Sequence, residues 1–266
     1  MSDLLVSGVR QRNYGDFRAA VATFEEALSL SGPHVRALDN ARLLNELGVA
    51  QRYRGDMPEA RHLYRRALDL VHPVAGWTLE AKDLFATICH NLASLEHMCG
   101  NLGPGELWAR LAVHIRTKVH GREHLSVLAD KAVLATVIQG LGRLEQADEV
   151  LRHILFEYRR RLGANHYEVA VALHNLAACA SAKGDNHAAR SLALESLQMK
   201  RAALGGEHPD IAVSLANLGY IEERLGNVAS ARTAYRDAVQ ILGQRVRGDH
   251  PTLVACLKRF HHLSAC

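Results

Sequence analysis

A fixed 42-residue spacing constrains this chain more than any other feature. His124, His166, His208 and His250 stand 42 residues apart, and so do Gly100, Gly142, Gly184 and Gly226. A period of that length marks an array in which one supersecondary unit recurs and buries its apolar face only against its neighbours. The segments between the glycines carry helical periodicity and none alternates like a strand, so the units are helical. Ala and Leu fill the apolar positions: hydrophobic residues are 48% of the chain, yet aromatics are only 5%. That usage suits helices in close contact.

Further positions keep the same phase. Leu218-Gly219 lies just before Gly226, and Leu176-Ala177, Leu134-Ala135, Leu92-Ala93 and Leu47-Gly48 lie at the same distance before their own glycines. Ala231 follows Gly226 at the offset where Ala189, Ala147, Ala60 and Ala20 follow theirs. Tyr235 is matched by Tyr64, Phe24 and Leu151, and Ala238 by Ala67, Ala27 and Ala112. The third unit departs with Gly105 and Ala109, the fifth with Ala193 and Ser196. This pattern of Leu-small, Gly, Ala, aromatic and Ala resembles the tetratricopeptide repeat. Its six anchors are Gly15, Gly55, Gly100, Gly142, Gly184 and Gly226, so the resemblance covers essentially the whole chain. The 42-residue period, with LGxEHP between units and NLG or NLA inside them, is similar to the kinesin-light-chain variety.

The resemblance implies an all-α fold: a right-handed superhelical solenoid of about six helix pairs with a C-terminal capping helix. One domain is expected over 1–266, with repeats near 1–32, 33–75, 76–121, 122–163, 164–205 and 206–248 and a cap over 249–266. Helix pairs are predicted at 2–13 with 16–30, 34–54 with 56–71, 77–99 with 104–119, 125–141 with 143–162, 167–183 with 185–204, and 209–225 with 227–246, then a last helix at 251–264. The anchor glycine belongs in a left-handed turn between the two helices. Asp16, Asp56 and Asp185, just after it, suit the N-terminus of the second helix, and Pro209 and Pro251 suit a first turn. The step from Gly55 to Gly100 is three residues longer than the period, which places a bulged loop near His72 to Thr78.

In the family, the first helices line a concave groove. The matching positions here give His90, Asn91, Ser94 and His97 in the third unit, and Thr136 and Gln139 in the fourth. They give His174 and Asn175 in the fifth, and Asn217, Tyr220, Glu223 and Arg224 in the sixth. Arg42, Asn45, Glu46 and Arg52 are their second-unit counterparts. The resemblance implies that Asn91, Asn175 and Asn217 hold the backbone of an extended peptide, for which an amide that both donates and accepts is suited. The same amides equally suit bonds between neighbouring helices. The recurring histidines from His124 to His250 read as structural. His90 and His97 share a helical face but sit about 10 Å apart along it, too far to chelate one ion unaided. His174 is expected to titrate between about pH 6 and 7 and to tune affinity there.

Other classes find little support. The start MSDLLVSG has no basic segment or apolar core of a leader, and no run approaches a membrane span. The net charge of +4 is too small to argue for nucleic acid. Cys89, Cys99, Cys179, Cys256 and Cys266 are odd in number without CxxC spacing, which suits free thiols in a cytoplasmic protein. No glycine-rich nucleotide loop and no nucleophile–base set is present. The expectation is a non-catalytic module that binds a peptide or partner-protein segment, with no cofactor, metal, nucleic acid or membrane. Oligomeric state is left open. The alternative is an enzyme, or a metal- or small-molecule-binding protein, that uses the His-rich groove of repeats three to five.

Overall fold

The computed structural model describes residues 2–32, 35–71 and 78–265. Among them are thirteen helices and no strand: α1 Ser2–Asn13, α2 Phe17–Ser29, α3 Ala37–Arg54, α4 Met57–Val71, α5 Leu79–Met98, α6 Leu102–His120, α7 Leu125–Gly140, α8 Leu144–Leu162, α9 Tyr167–Ala182, α10 Asn186–Leu204, α11 Pro209–Arg224, α12 Val228–Leu242 and α13 Pro251–Ala265. Among the described residues a helix lies at each predicted place. α12 ends at Leu242, four residues short of its predicted end; Gly243 still has helical angles, and the chain leaves through a turn in which the Arg245 and Val246 N–H groups both bond the Leu242 carbonyl. Glycine is a poor helix continuer, so the turn costs little there. The bulge expected near His72 to Thr78 falls largely on residues 72–77, outside the described residues; Thr78 itself caps α5, its hydroxyl accepting from the Ala81 N–H at 3.2 Å.

The repeat signature resolves into local hydrogen bonding. All six anchor glycines have positive φ, from 76° at Gly100 to 105° at Gly55, a region closed to most side chains. Asp16 and Asp185 each accept a cap bond at 3.0 Å, from Ala19 and Ala188 N–H. The recurring histidines are N-caps too: Nδ1 of His124, His166, His208 and His250 accepts from the N–H two residues on, at 3.1 to 3.3 Å. Pro209 then opens α11, where no N–H is needed.

By its contacts the chain forms two compact units, Met1–Leu141 and Gly142–Cys266. In the first, α1 packs on α2, α3 on α4 and α5 on α6, and α3 and α7 both touch α5. In the second, α9 packs on α10, α11 on α12, and α11 touches both α9 and α13. Within each unit, no second helix of a pair touches another second helix among the described residues. Within each unit, then, first helices lie beside first helices, with the second helices outside that row.

Two devices fix this packing. Glycine at the Leu-small position occurs only where the partner helix offers an aromatic ring sixteen residues later: Gly8 with Phe24, Gly48 with Tyr64, Gly219 with Tyr235. A Cβ at Gly48 or Gly219 would lie 2.7 or 2.8 Å from a ring atom. Where Ala stands instead, at Ala93, Ala135 and Ala177, the residue sixteen later in the sequence is Ala109, Leu151 or Ala193. The third and fifth units thus exchange bulk between the two sides of one contact. Gly219→Ala should therefore destabilise by about 1–3 kcal/mol, and adding Tyr235→Leu should recover part of that. Denaturant unfolding checks both; an unchanged midpoint for Gly219→Ala would mean the ring has room.

The second device is a polar tie. Arg61 Nε donates to Glu96 at 2.7 Å and Asn101 Nδ2 to the other Glu96 oxygen at 2.7 Å. Arg190, Glu222 and Asn227 repeat the arrangement with the same two distances. Asn replaces Asp after the anchor in these two units because it has to donate. Ala60, Ala147 and Ala231 are fully buried.

Candidate binding surface on the first helices

In the first unit the candidate residues lie on α5 and α7, which are in contact. His90 is half-buried, and its Nδ1 lies 2.9 Å from Oδ1 of the buried Asp130 on α7. Arg116 of α6 reaches the same carboxylate, Nε to Oδ2 at 2.7 Å, and also bonds Asp83 at 2.8 Å and Thr87 at 3.0 Å. One buried carboxylate thus joins three helices. Asn91 is buried, and one amide hydrogen goes to Asn45 Oδ1 at 2.8 Å, so this amide ties α5 to α3. Ser94 and Thr136 return their hydroxyls to the backbone of their own helices, at His90 and Val133. Burial holds the His97 imidazole below its usual range. Gln139 is half-buried near the end of α7.

The first unit also holds a cleft of about 320 Å³ between α1, α3 and α5. Leu5 and Val9 form one wall, and Arg42, Glu46, Glu80 and Asp83 bring charge to the rest. Arg12 pairs with Glu46, and Arg42 with Glu80 at 2.9 Å. Burial raises the Glu46 carboxyl although Arg12 opposes it. Glu80 and Asp83 were not foreseen, because they precede the family's groove positions on α5.

In the second unit, His174 and Asn175 lie on α9 and Asn217 on α11, two helices in contact. Asn175 is half-buried. Asn217 Nδ2 is buried and has no hydrogen-bond partner among the described residues. A buried amide left without an acceptor costs about 1–3 kcal/mol, so the site is built at a loss unless something fills it. Tyr220 is 39% exposed on the same helix, with the Arg259 guanidinium 5.6 Å above its ring. Glu223 accepts from Arg259 at 2.6 Å and from the Tyr235 hydroxyl at 3.1 Å; Arg224 is exposed at the helix end.

His174 corrects an expectation. Burial, and then the neighbouring Lys200 ammonium, push its imidazole down to about 3, so it stays neutral at pH 6–7 and does not titrate there. Lys200 of α10 is itself buried, and its Nζ donates to Ser214 of α11 at 3.1 Å. Burial lowers this amine, against the pull of Asp210.

Among the described residues no group of three His, Cys, Asp or Glu is placed to hold a metal ion, and no helix is long and apolar enough to cross a membrane.

Comparisons with known proteins agree with this architecture. Two profiles of the tetratricopeptide repeat match, one over residues 129–202 and 168–244, the other over 40–71 and 85–126. No curated protein sequence matches. Among solved structures, BtubC (BKLC) from P. vanneervenii is 21% identical with a TM-score of 0.57, over 88% of this chain and 91% of that one. Kinesin light chain repeats from Podosopora anserina, nearly identical and TPR-like, are 24% identical with a TM-score of 0.51, over 66% and 84%. A Rap protein complexed with competence and sporulation factor reaches a TM-score of 0.68 at 15% identity, over 95% and 74%. Together the two profiles span most of the sequence in the phase of its own glycines, and the chain belongs to the tetratricopeptide-repeat family of protein-interaction modules.

Proposed function

We propose that the first helices of the second unit bind an extended peptide or a segment of a partner protein. Asn175 and Asn217 take its backbone, and His174, Tyr220, Glu223 and Arg224 border it. The observation that carries this is the buried, unpartnered Asn217 amide: a donor held in place without an acceptor. The same repeat position in the first unit, Asn91, already has its acceptor in Asn45. The Rap protein of similar fold was solved with its competence and sporulation factor bound, which supports a ligand-holding use of this architecture. In the first unit, His90, Ser94, His97, Thr136 and Gln139 offer a second row of contacts, with Asn91 stiffening it. We read the ligand as protein rather than nucleic acid or membrane, since the net charge is only +4 and carboxylates stand among the cations of the first-helix face. We place the protein in the cytoplasm on its odd number of cysteines without paired spacing.

The test is a peptide-display selection on the full chain, followed by titration of the enriched peptides. Asn175→Ala with Asn217→Ala should weaken binding about tenfold to a hundredfold, since each amide bond contributes on the order of 1 kcal/mol. Melting should be little changed. Equal affinity would place the ligand elsewhere, and a large loss of melting temperature would make the asparagines structural ties.

A further inference from the structure

The two units can be compared position by position. His174, Lys200 and Ser214 each stand 84 residues, two periods, after His90, Arg116 and Asp130. In the first unit these three side chains form a closed set: the buried Asp130 carboxylate accepts from Arg116 at 2.7 Å and meets His90 at 2.9 Å. In the second unit both nitrogen-bearing members are kept, as imidazole and amine, but the carboxylate is gone. Ser214 stands in its place and supplies one hydroxyl to Lys200. Lys200 is only 4% exposed, yet has no carboxylate ion pair among the described residues. The remaining nearby carboxylate, Asp210, accepts the Tyr167 hydroxyl, and Tyr167 itself replaces Asp83 of the first unit. One turn along α11 from Ser214 lies Asn217, whose buried Nδ2 has no acceptor. Two donors on one helix-facing surface thus lack what the register-equivalent site supplies internally.

We propose that the second unit binds a carboxylate from outside the chain, between α9 and α11, where it takes the role Asp130 plays in the first unit. Its oxygens accept from Lys200 Nζ and Asn217 Nδ2, beside the His174 ring. The carboxylate is either an acidic side chain of a bound segment or a free dicarboxylic acid. The first source rests on the peptide reading above; the second does not. The cation of this site, Lys200, comes from the second helix α10.

A protonation signature follows. The groups facing the site are His174 and Tyr167 from α9, Lys200 from α10, and Ser214, Asp210 and Asn217 from α11. His174 and Lys200 are both held toward their neutral forms by burial. An arriving negative charge favours the charged forms, so binding takes up protons.

The experiment titrates the full chain by calorimetry near pH 6.5 in buffers of different ionisation enthalpy. The probes are succinate against succinamide, and acetyl-Ala-Ala-Asp-Ala-Ala-amide against its Asn counterpart. Each acid should bind at least about tenfold more tightly than its amide, with net proton uptake. Lys200→Met should abolish the preference. Ser214→Asp should abolish it too, by filling the site from within, while leaving the protein as stable as the parent or more so; that variant guards against loss of preference through unfolding. A preference for succinate alone supports the site with a free acid as ligand, and leaves the peptide reading to stand or fall on its own test. A preference for the Asp peptide alone supports an acidic side chain. Equal binding of acid and amide in both pairs, or a preference unchanged in both variants, overturns the proposal.

Discussion

Asp130→Ala should destabilise the first unit by about 3–5 kcal/mol, the usual cost of removing one member of a buried ion pair. The carboxylate is 1% exposed and joins Arg116 of α6 to His90 of α5 from α7. Without it, Arg116, whose side chain is 8% exposed, keeps only Asp83 and Thr87. Ser214→Ala, at the matching position of the second unit, removes one hydroxyl bond to Lys200 and should cost only about 1 kcal/mol. Repeat arrays need not unfold in one step, so hydrogen exchange resolved by helix is the appropriate readout. The account expects protection to fall most across α5 to α7. Equal losses for the two variants would mean that the Asp130 set carries no special weight.

Acidification should destabilise the second unit well above the range where carboxylates titrate. His174 is depressed to about 3 in the fold, against an ordinary value near 6.5. Between those limits the unfolded chain binds a proton that the folded chain does not, so stability falls as pH falls and is fully regained above about 6.5. The slope attributable to this one group is up to about 1.4 kcal/mol per pH unit. His174→Gln removes the proton site and keeps a polar side chain. Denaturant midpoints measured from pH 7 to 4 should fall less steeply for that variant than for the parent. Parallel curves would mean that folding leaves the His174 imidazole unshifted.

The fold was legible because its signals are local. A glycine in a left-handed turn marks all six units, while an aspartate one residue on and a glycine opposite a ring each mark three, always at a fixed offset. The capping role of His208 was half legible: its recurrence marked it as structural, but the Nδ1 bond to the Asp210 N–H needed coordinates. The polar interior was not legible in the same way. Asp130 meets His90 across forty residues of sequence and three helices, and nothing near Asp130 announces it. The burial of His174, and the repulsion Lys200 adds to it, likewise depend on how α10 lies against α9. Asn91 and Asn217 look alike in sequence and differ in the structure because only Asn91 has an Asn45 on the preceding first helix. Aligning the units against one another, rather than against a family pattern, would have exposed the change from Asp130 to Ser214.

The central claim is that ligand lies on the first-helix face. Site-specific photo-cross-linking tests it directly, with p-benzoylphenylalanine placed at position 220 or at position 156. Tyr220 is exposed on α11, a first helix, and Phe156 is 62% exposed on α8, a second helix. With a display-selected peptide, the account predicts a covalent adduct from position 220 and none from position 156. An adduct from position 156 alone would contradict it.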